Sequence, residues 1–252
     1  MALPQEKTDA TAERIGALSV PDGAGWANAV RAEALGRLQA MGLPGPRDEY
    51  WRFTRPDDLN TPDAAPAAVF DTGGESPVFG GIDRLKIVFR DGVFDAAASD
   101  DLALEGIEIE RLATATSTDI HWAKALYGVL EERGQTPVPR PFAALNTAFA
   151  TDGLVIRANG KVSKPVSFSY LHEKTDSDAI LHFVIKVEAG ADLTVLENGP
   201  AAARFNKCME VDVSDGGAFH HVRTQGRDHE RRAVTHIFAR LGAESTFKSF
   251  TL

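Results

Sequence analysis

Ile180-Leu181-His182-Phe183-Val184-Ile185-Lys186-Val187, then Glu188-Ala189-Gly190-Ala191-Asp192, then Leu193-Thr194-Val195-Leu196 is the stretch that decides the fold. Two short apolar runs are joined by a glycine-bearing turn with no room for a helix between them. The same arrangement extends in both directions. Apolar or alternating runs occupy residues 154–156, 166–171, 180–187, 193–196, 209–213, 218–222, 234–241 and 246–252. Asn159-Gly160, Asp176-Ser177-Asp178, Gly190, Asn198-Gly199-Pro200, Asp215-Gly216-Gly217 and Gly242 separate them. Eight short runs with almost no helical pattern between them predict an all-β half. The runs are short, every turn carries Gly, Asn or Asp, and Val, Ile and Leu recur without a closing pattern. These features favour a β-solenoid over a sandwich, although no exact repeat is visible.

Upstream the periodicity is helical. After Pro21-Asp22-Gly23, the residues Trp26, Val30, Leu35, Leu38 and Met41 recur near a 3.6 period, and Gly42-Leu43-Pro44 ends the helix. Arg47-Asp48-Glu49-Tyr50-Trp51-Arg52-Phe53-Thr54 reads as a short helix or turn that packs Trp51 and Phe53 on this first helix, with an interaction surface as the sharper alternative. Residues 56–81, rich in Pro, Asp, Ala and Gly, read as a linker or long loop. Leu85, Ile87 and Phe89 alternate with charged residues and run into Asp91-Gly92, which predicts a strand entering a tight hairpin. A helix capped by Asp119 should present Trp122, Leu126, Val129 and Leu130 and stop at Gly134. Another begins around Pro141 and presents Phe142, Leu145 and Phe149. The expected organisation is an N-terminal helical region over 1–60, a linker plus a small α+β segment over 61–150, and a β-helix over 151–252.

Composition narrows the function classes. The 252 residues are 43% hydrophobic and 25% charged with a net charge of −9, an ordinary globular composition rather than a disordered or collagen-like one. The charge is uneven: residues 1–150 carry 23 acidic against 14 basic residues, and residues 151–252 carry 13 of each. A pI near 5.3 argues against nucleic acid as a partner. The single cysteine, Cys208, excludes an internal disulfide framework, a cluster held by four thiolates of this chain, and a Cys-rich zinc site. The first twenty residues lack the apolar core of a signal peptide, and no stretch approaches the ~20 apolar residues of a membrane span. The expectation is a cytoplasmic protein with no membrane partner.

No catalytic apparatus stands out. The histidines are His121, His172, His182, His220, His221, His229 and His236. His220 and His221 should point to opposite faces of one strand, so the pair is no chelate by itself. Stacked coils could bring His220 or His221 beside His236 as zinc or iron ligands, against the plainer reading of solvated or rung-stacking histidines. His229 falls in a polar turn whose Arg227, Arg231 and Arg232 form a small basic group, read as a solvated loop. Lys207 could lower the pKa of Cys208, but the entry of that cysteine into a strand favours a buried structural thiol. Asp100-Asp101 and Glu131-Glu132 lie in flexible or helical surroundings that do not support glycosidase-type chemistry. No G-x-S-x-G elbow, Walker loop, H-E-x-x-H or dinucleotide-binding glycine pattern is present.

Four stretches in order resemble the SufB/SufD family of iron–sulfur cluster assembly scaffolds, on the SufD side. They are Arg47–Thr54 after a helix ending Gly-Leu-Pro; Phe142-Ala143-Ala144-Leu145-Asn146-Thr147-Ala148 followed by Asp152-Gly153-Leu154-Val155-Ile156; the stretch from Val187 through Glu197; and Glu210-Val211 through Ala218-Phe219-His220-His221-Val222-Arg223-Thr224-Gln225. The resemblance covers most of residues 25–252. It implies an N-terminal helical region, a right-handed parallel β-helix and C-terminal helices that dock the ATPase SufC, in a complex with SufB. On that basis the chain is a scaffold and not an enzyme, with SufB and SufC as partners. It binds no cofactor alone, and an iron–sulfur cluster sits only at the interface of the full complex. The family's SufC-docking helices and its cluster-associated histidine would lie beyond Leu252, so no histidine here takes that role. The final run, Ser245-Thr246-Phe247-Lys248-Ser249-Phe250-Thr251-Leu252, reads as a strand in full stride, which suggests a truncated β-helix or one covered by a partner, with self-association through the open end. The alternatives are a polysaccharide-acting solenoid enzyme and a plain interaction module.

Overall fold

A computed structural model describes residues 3–69, 76, 78–199, 201–225 and 230–252. The β half is a parallel β-solenoid of about three turns. Its strands are β4 (Asp152–Ala158), β5 (Val166–Leu171), β6 (Asp178–Val187), β7 (Asp192–Asn198), β8 (Arg204–Val213), β9 (Ala218–Arg223), β10 (Arg232–Leu241) and β11 (Thr246–Thr251). Each of the eight expected runs is a strand. Alternate strands fall into two sheets: β5, β7, β9 and β11 stack in one, and β4, β6, β8 and β10 in the other. All these neighbours pair in parallel.

The strands that precede the solenoid extend its sheets. β1 (Leu85–Arg90) pairs in parallel with β5, and β2 (Val93–Phe94) closes the expected hairpin on β1 through Asp91 and Gly92, both at positive φ as a two-residue hairpin turn requires. β3 (Ile107–Arg111) runs antiparallel to β4.

The rungs align without a fixed period. Leu154, Phe183, Met209 and Ile237 are in register on four successive strands, in steps of 29, 26 and 28 residues. Such unequal steps hide the repeat from inspection of the sequence. The bore is packed with Leu154, Ile156, Phe168, Phe183, Ile185, Val195, Met209 and Phe219, all essentially inaccessible. Phe168 and Phe183 stack across it with centroids 4.8 Å apart. Each large apolar side chain so enclosed contributes about 1.5–3 kcal/mol.

The helices form a second core against the β4–β10 sheet. α2 (Gly25–Met41) is the expected helix, and α1 (Gln5–Gly16) is a further one that the sequence pattern did not signal. α6 (Pro141–Phe149) is buried along its whole length between α2 and the sheet, which suits an almost entirely apolar composition. α3 (Asp57–Asn60) and residues 61–63, at the start of the expected linker or long loop, are held against the solenoid, and residues 70–75 and 77 of that stretch lie outside the described residues. Arg204, 2% exposed, donates to the carbonyls of Thr61 and Pro62 and pairs with Asp178, which also accepts from Arg14 of α1. The expected continuous helix from Asp119 is broken. A 3₁₀ turn at Trp122–Ala125 is capped by the His121 imidazole rather than by Asp119, and α5 (Val129–Arg133) starts afresh after Gly128 at φ +76°. α4 (Leu112–Ser117) follows β3 directly. The aromatic segment is a 3₁₀ turn at Glu49–Trp51, but Trp51 packs edge-on against Phe142 of α6, and Phe53 is 92% exposed.

Candidate functional site

Strand alternation puts polar residues in two enclosed places. Along β8, Phe205 and Met209 face the bore, so Lys207 between them faces it too. Its Nζ lies 2.5 Å and 2.7 Å from the carboxylate oxygens of Glu197 on β7. Glu197 also accepts from His221 Nε2 at 2.7 Å and from the Tyr170 hydroxyl at 2.9 Å. Lys207, Glu197 and His221 are fully buried. Burial alone would raise the Glu197 pKa, but the Lys207 charge, with hydrogen bonds from His221 and Lys207, outweighs it and holds the carboxyl well below its usual range. The Tyr170 hydroxyl is pushed up by burial and then by Glu197. The network continues along the solenoid through His221 Nδ1 to Ser249 Oγ at 2.9 Å, and Arg223 donates to Thr235 Oγ1 at 2.8 Å. Every member has a partner, so the cluster fixes the two sheets of the solenoid in one register.

The second cluster lies between the solenoid and the helices. His182 on β6 has Nδ1 2.9 Å from Asn146 Oδ1 and Nε2 2.8 Å from Glu210 Oε1. Glu210 on β8 accepts the amides of Gly128, Leu130 and Glu131, satisfying the first turn of α5 with a carboxylate where the helix dipole favours one. Asn146 donates to the carbonyls of Leu181 and Asn206. This is a structural clamp that ties α5 and α6 to the sheet.

Alternation separates Cys208 from Lys207. The thiol faces the helices, and burial, followed by Glu210 and Glu131, pushes its pKa up, so Lys207 does not activate it. His236 stands in register with Cys208, and Cys208 with His182. The expected approach of His220 or His221 to His236 does not occur through strand stacking. Those two lie on β9, in register with Thr194 and Val195 of β7, in the sheet opposite the one that carries His236. They do point to opposite faces: His221 is buried in the bore, and His220 is partly exposed, 3.8 Å from Asp192. His172 Nε2 is bound to the Lys174 carbonyl, and His121 Nε2 to Glu110. His229 and Arg227 lie outside the described residues, whereas Arg232 pairs with Asp58. Glu131 is buried and paired with Arg37, and Asp100 accepts from the Lys86 amide. Among the described residues no group of three or more His, Cys, Asp or Glu is placed to hold a metal ion. Among them, too, no helix is long and apolar enough to cross a membrane.

Sequence reasoning missed both Glu197–Lys207 and His182–Glu210, because each joins residues on different coils or on a coil and a helix. No protein-family model matches the chain, and no curated protein matches it.

Proposed function

We propose that this chain is a SufD-like scaffold subunit that works with SufB and SufC in iron–sulfur cluster assembly in the cytoplasm and has no turnover of its own. The observation that carries the reading is the passage from helices into a parallel solenoid at α6 and β4, where Phe142 through Ile156 bear the family resemblance. The other quoted motifs support it by their order along the chain. Two solenoid sheets tied across the bore by the Lys207–Glu197 ion pair, with one sheet backed by helices, suit a scaffold that holds partners. The cluster is cargo in this reading. Cys208, enclosed between sheet and helices, does not fit as a ligand without opening that interface. The cluster would instead be held at a surface shared with SufB.

The test is co-expression of the tagged chain with SufB and SufC from the same organism, followed by affinity capture and size-exclusion chromatography. A stoichiometric complex is expected. Elution of the chain alone, with unchanged cluster-dependent enzyme activities in a deletion strain, would overturn the proposal in favour of a plain interaction module. Polysaccharide turnover by the chain alone would overturn it in favour of a solenoid enzyme.

A further inference from the structure

Where the 3₁₀ turn Glu49–Trp51 meets the segment leading into α6, a cavity of about 190 Å³ is lined by residues that include Tyr50, Trp51, Arg140, Phe142 and His236. Its lining is largely aromatic. Trp51 and Phe142 stand edge to face with centroids 5.2 Å apart, and Tyr50 is 67% exposed at the rim. Besides the Tyr50 hydroxyl, its side-chain polar groups are Arg140, His236 and the Trp51 indole, and no carboxylate among the described residues lines it. The Arg140 guanidinium makes no hydrogen bond or ion pair among the described residues, the contacts of that residue running through its backbone. His236 Nδ1 is buried without a hydrogen-bond partner. A buried, unsatisfied imidazole nitrogen and a half-buried guanidinium open to water lie together in a hollow that no described carboxylate lines, and the imidazole nitrogen carries a cost until a ligand meets it.

We infer that this cavity is a binding site for a small planar aromatic carboxylate, with its ring against Trp51 and Phe142 and its carboxylate on Arg140 and His236. Size and charge both select this class. A cavity of about 150 Å³ takes a benzene ring, so this one has room for one ring and a carboxylate. A guanidinium matches a carboxylate in a planar, two-point fashion that no neutral group reproduces. His236 fits the assignment: burial, and then the facing charge of Arg140, bring its pKa down to about 4, so the ring is neutral at pH 7 and its Nδ1–H tautomer can donate to a carboxylate. The site uses the aromatic segment 47–54, which the fold leaves largely at the surface, and it does not depend on the scaffold role.

The probe is benzoate, with benzamide as its uncharged counterpart of the same shape, titrated into the full chain while Trp fluorescence is read and a Trp51→Phe variant assigns the signal. Saturable binding of benzoate at or below about 1 mM is expected, a modest demand on a ligand of this size. Benzamide and the Arg140→Gln variant should each weaken binding at least about tenfold, the change that one charge-assisted contact supplies. Arg140→Lys should recover part of the loss. No saturation by about 20 mM benzoate, equal affinity for benzamide, or unchanged affinity in a normally folded Arg140→Gln variant would each overturn the inference.

Discussion

Lys207 and Glu197 form an ion pair inside the solenoid bore, with Nζ 2.5 Å and 2.7 Å from the two carboxylate oxygens and neither side chain exposed. They lie ten residues apart on strands of opposite sheets, so the pair spans the bore. A charge in that setting is tolerated only while its partner is present. Lys207→Met should therefore cost about 3–5 kcal/mol by leaving Glu197 with His221 and Tyr170 alone. Arg240→Ala, which breaks the pair with Asp212 at the surface, should cost no more than about 1 kcal/mol. Urea unfolding of the two variants checks the contrast, and equal losses would show that the bore pair is not desolvated.

Gly153 lies in β4 at φ +143°, and a Cβ added there would stand 1.8 Å from the His182 carbonyl oxygen on β6. Gly153→Ala should therefore cost about 3 kcal/mol or more, or abolish soluble expression, because backbone rather than a flexible side chain blocks the methyl. Gly190, at φ +69° with nothing within 4 Å of its added Cβ, sets the comparison. Gly190→Ala should cost only the about 1–2 kcal/mol of left-handed backbone strain. Thermal melts of the two variants separate collision from strain.

Acid should weaken the fold through His236. Its pKa is about 4 when folded and near 6.5 when unfolded, so between these values the unfolded chain holds a proton that the folded chain does not. Stability from this group is complete above pH 6.5 and declines as pH falls to 4, by up to about 3 kcal/mol. In a His236→Gln variant the urea midpoint should fall less steeply across that window. Parallel curves for variant and wild type would place the acid sensitivity elsewhere.

Cys208 should be inert in the native state, being buried with its thiol pushed up. A thiol reagent at pH 8 should label the folded chain at least about a hundredfold more slowly than the urea-unfolded chain, since access requires opening the sheet–helix interface. Fast labelling of folded protein would show that the interface opens readily.

The sequence by itself determined the change from a 3.6 to a two-residue period, the eight solenoid strands and the turns between them. These are local: alternation, Gly and Asn at bends, and Asp91-Gly92 in its hairpin are written within a few residues of each element. Its errors arose where local signals met tertiary demands. β8 begins at Arg204 rather than at Met209 because Arg204, Asn206 and Lys207, although buried, interrupt the apolar alternation that marks a strand. The helix expected after Asp119 breaks at Gly128, whose amide Glu210 captures from 82 residues away. The coil register, the bore network of Glu197, Lys207 and His221, and the cavity joining Trp51, Arg140 and His236 were decided only by the tertiary structure. The first two depend on coils of 26 to 29 residues stacking strand on strand, and the cavity on the N-terminal segment packing against β10, so that side chains no local spacing relates are brought together.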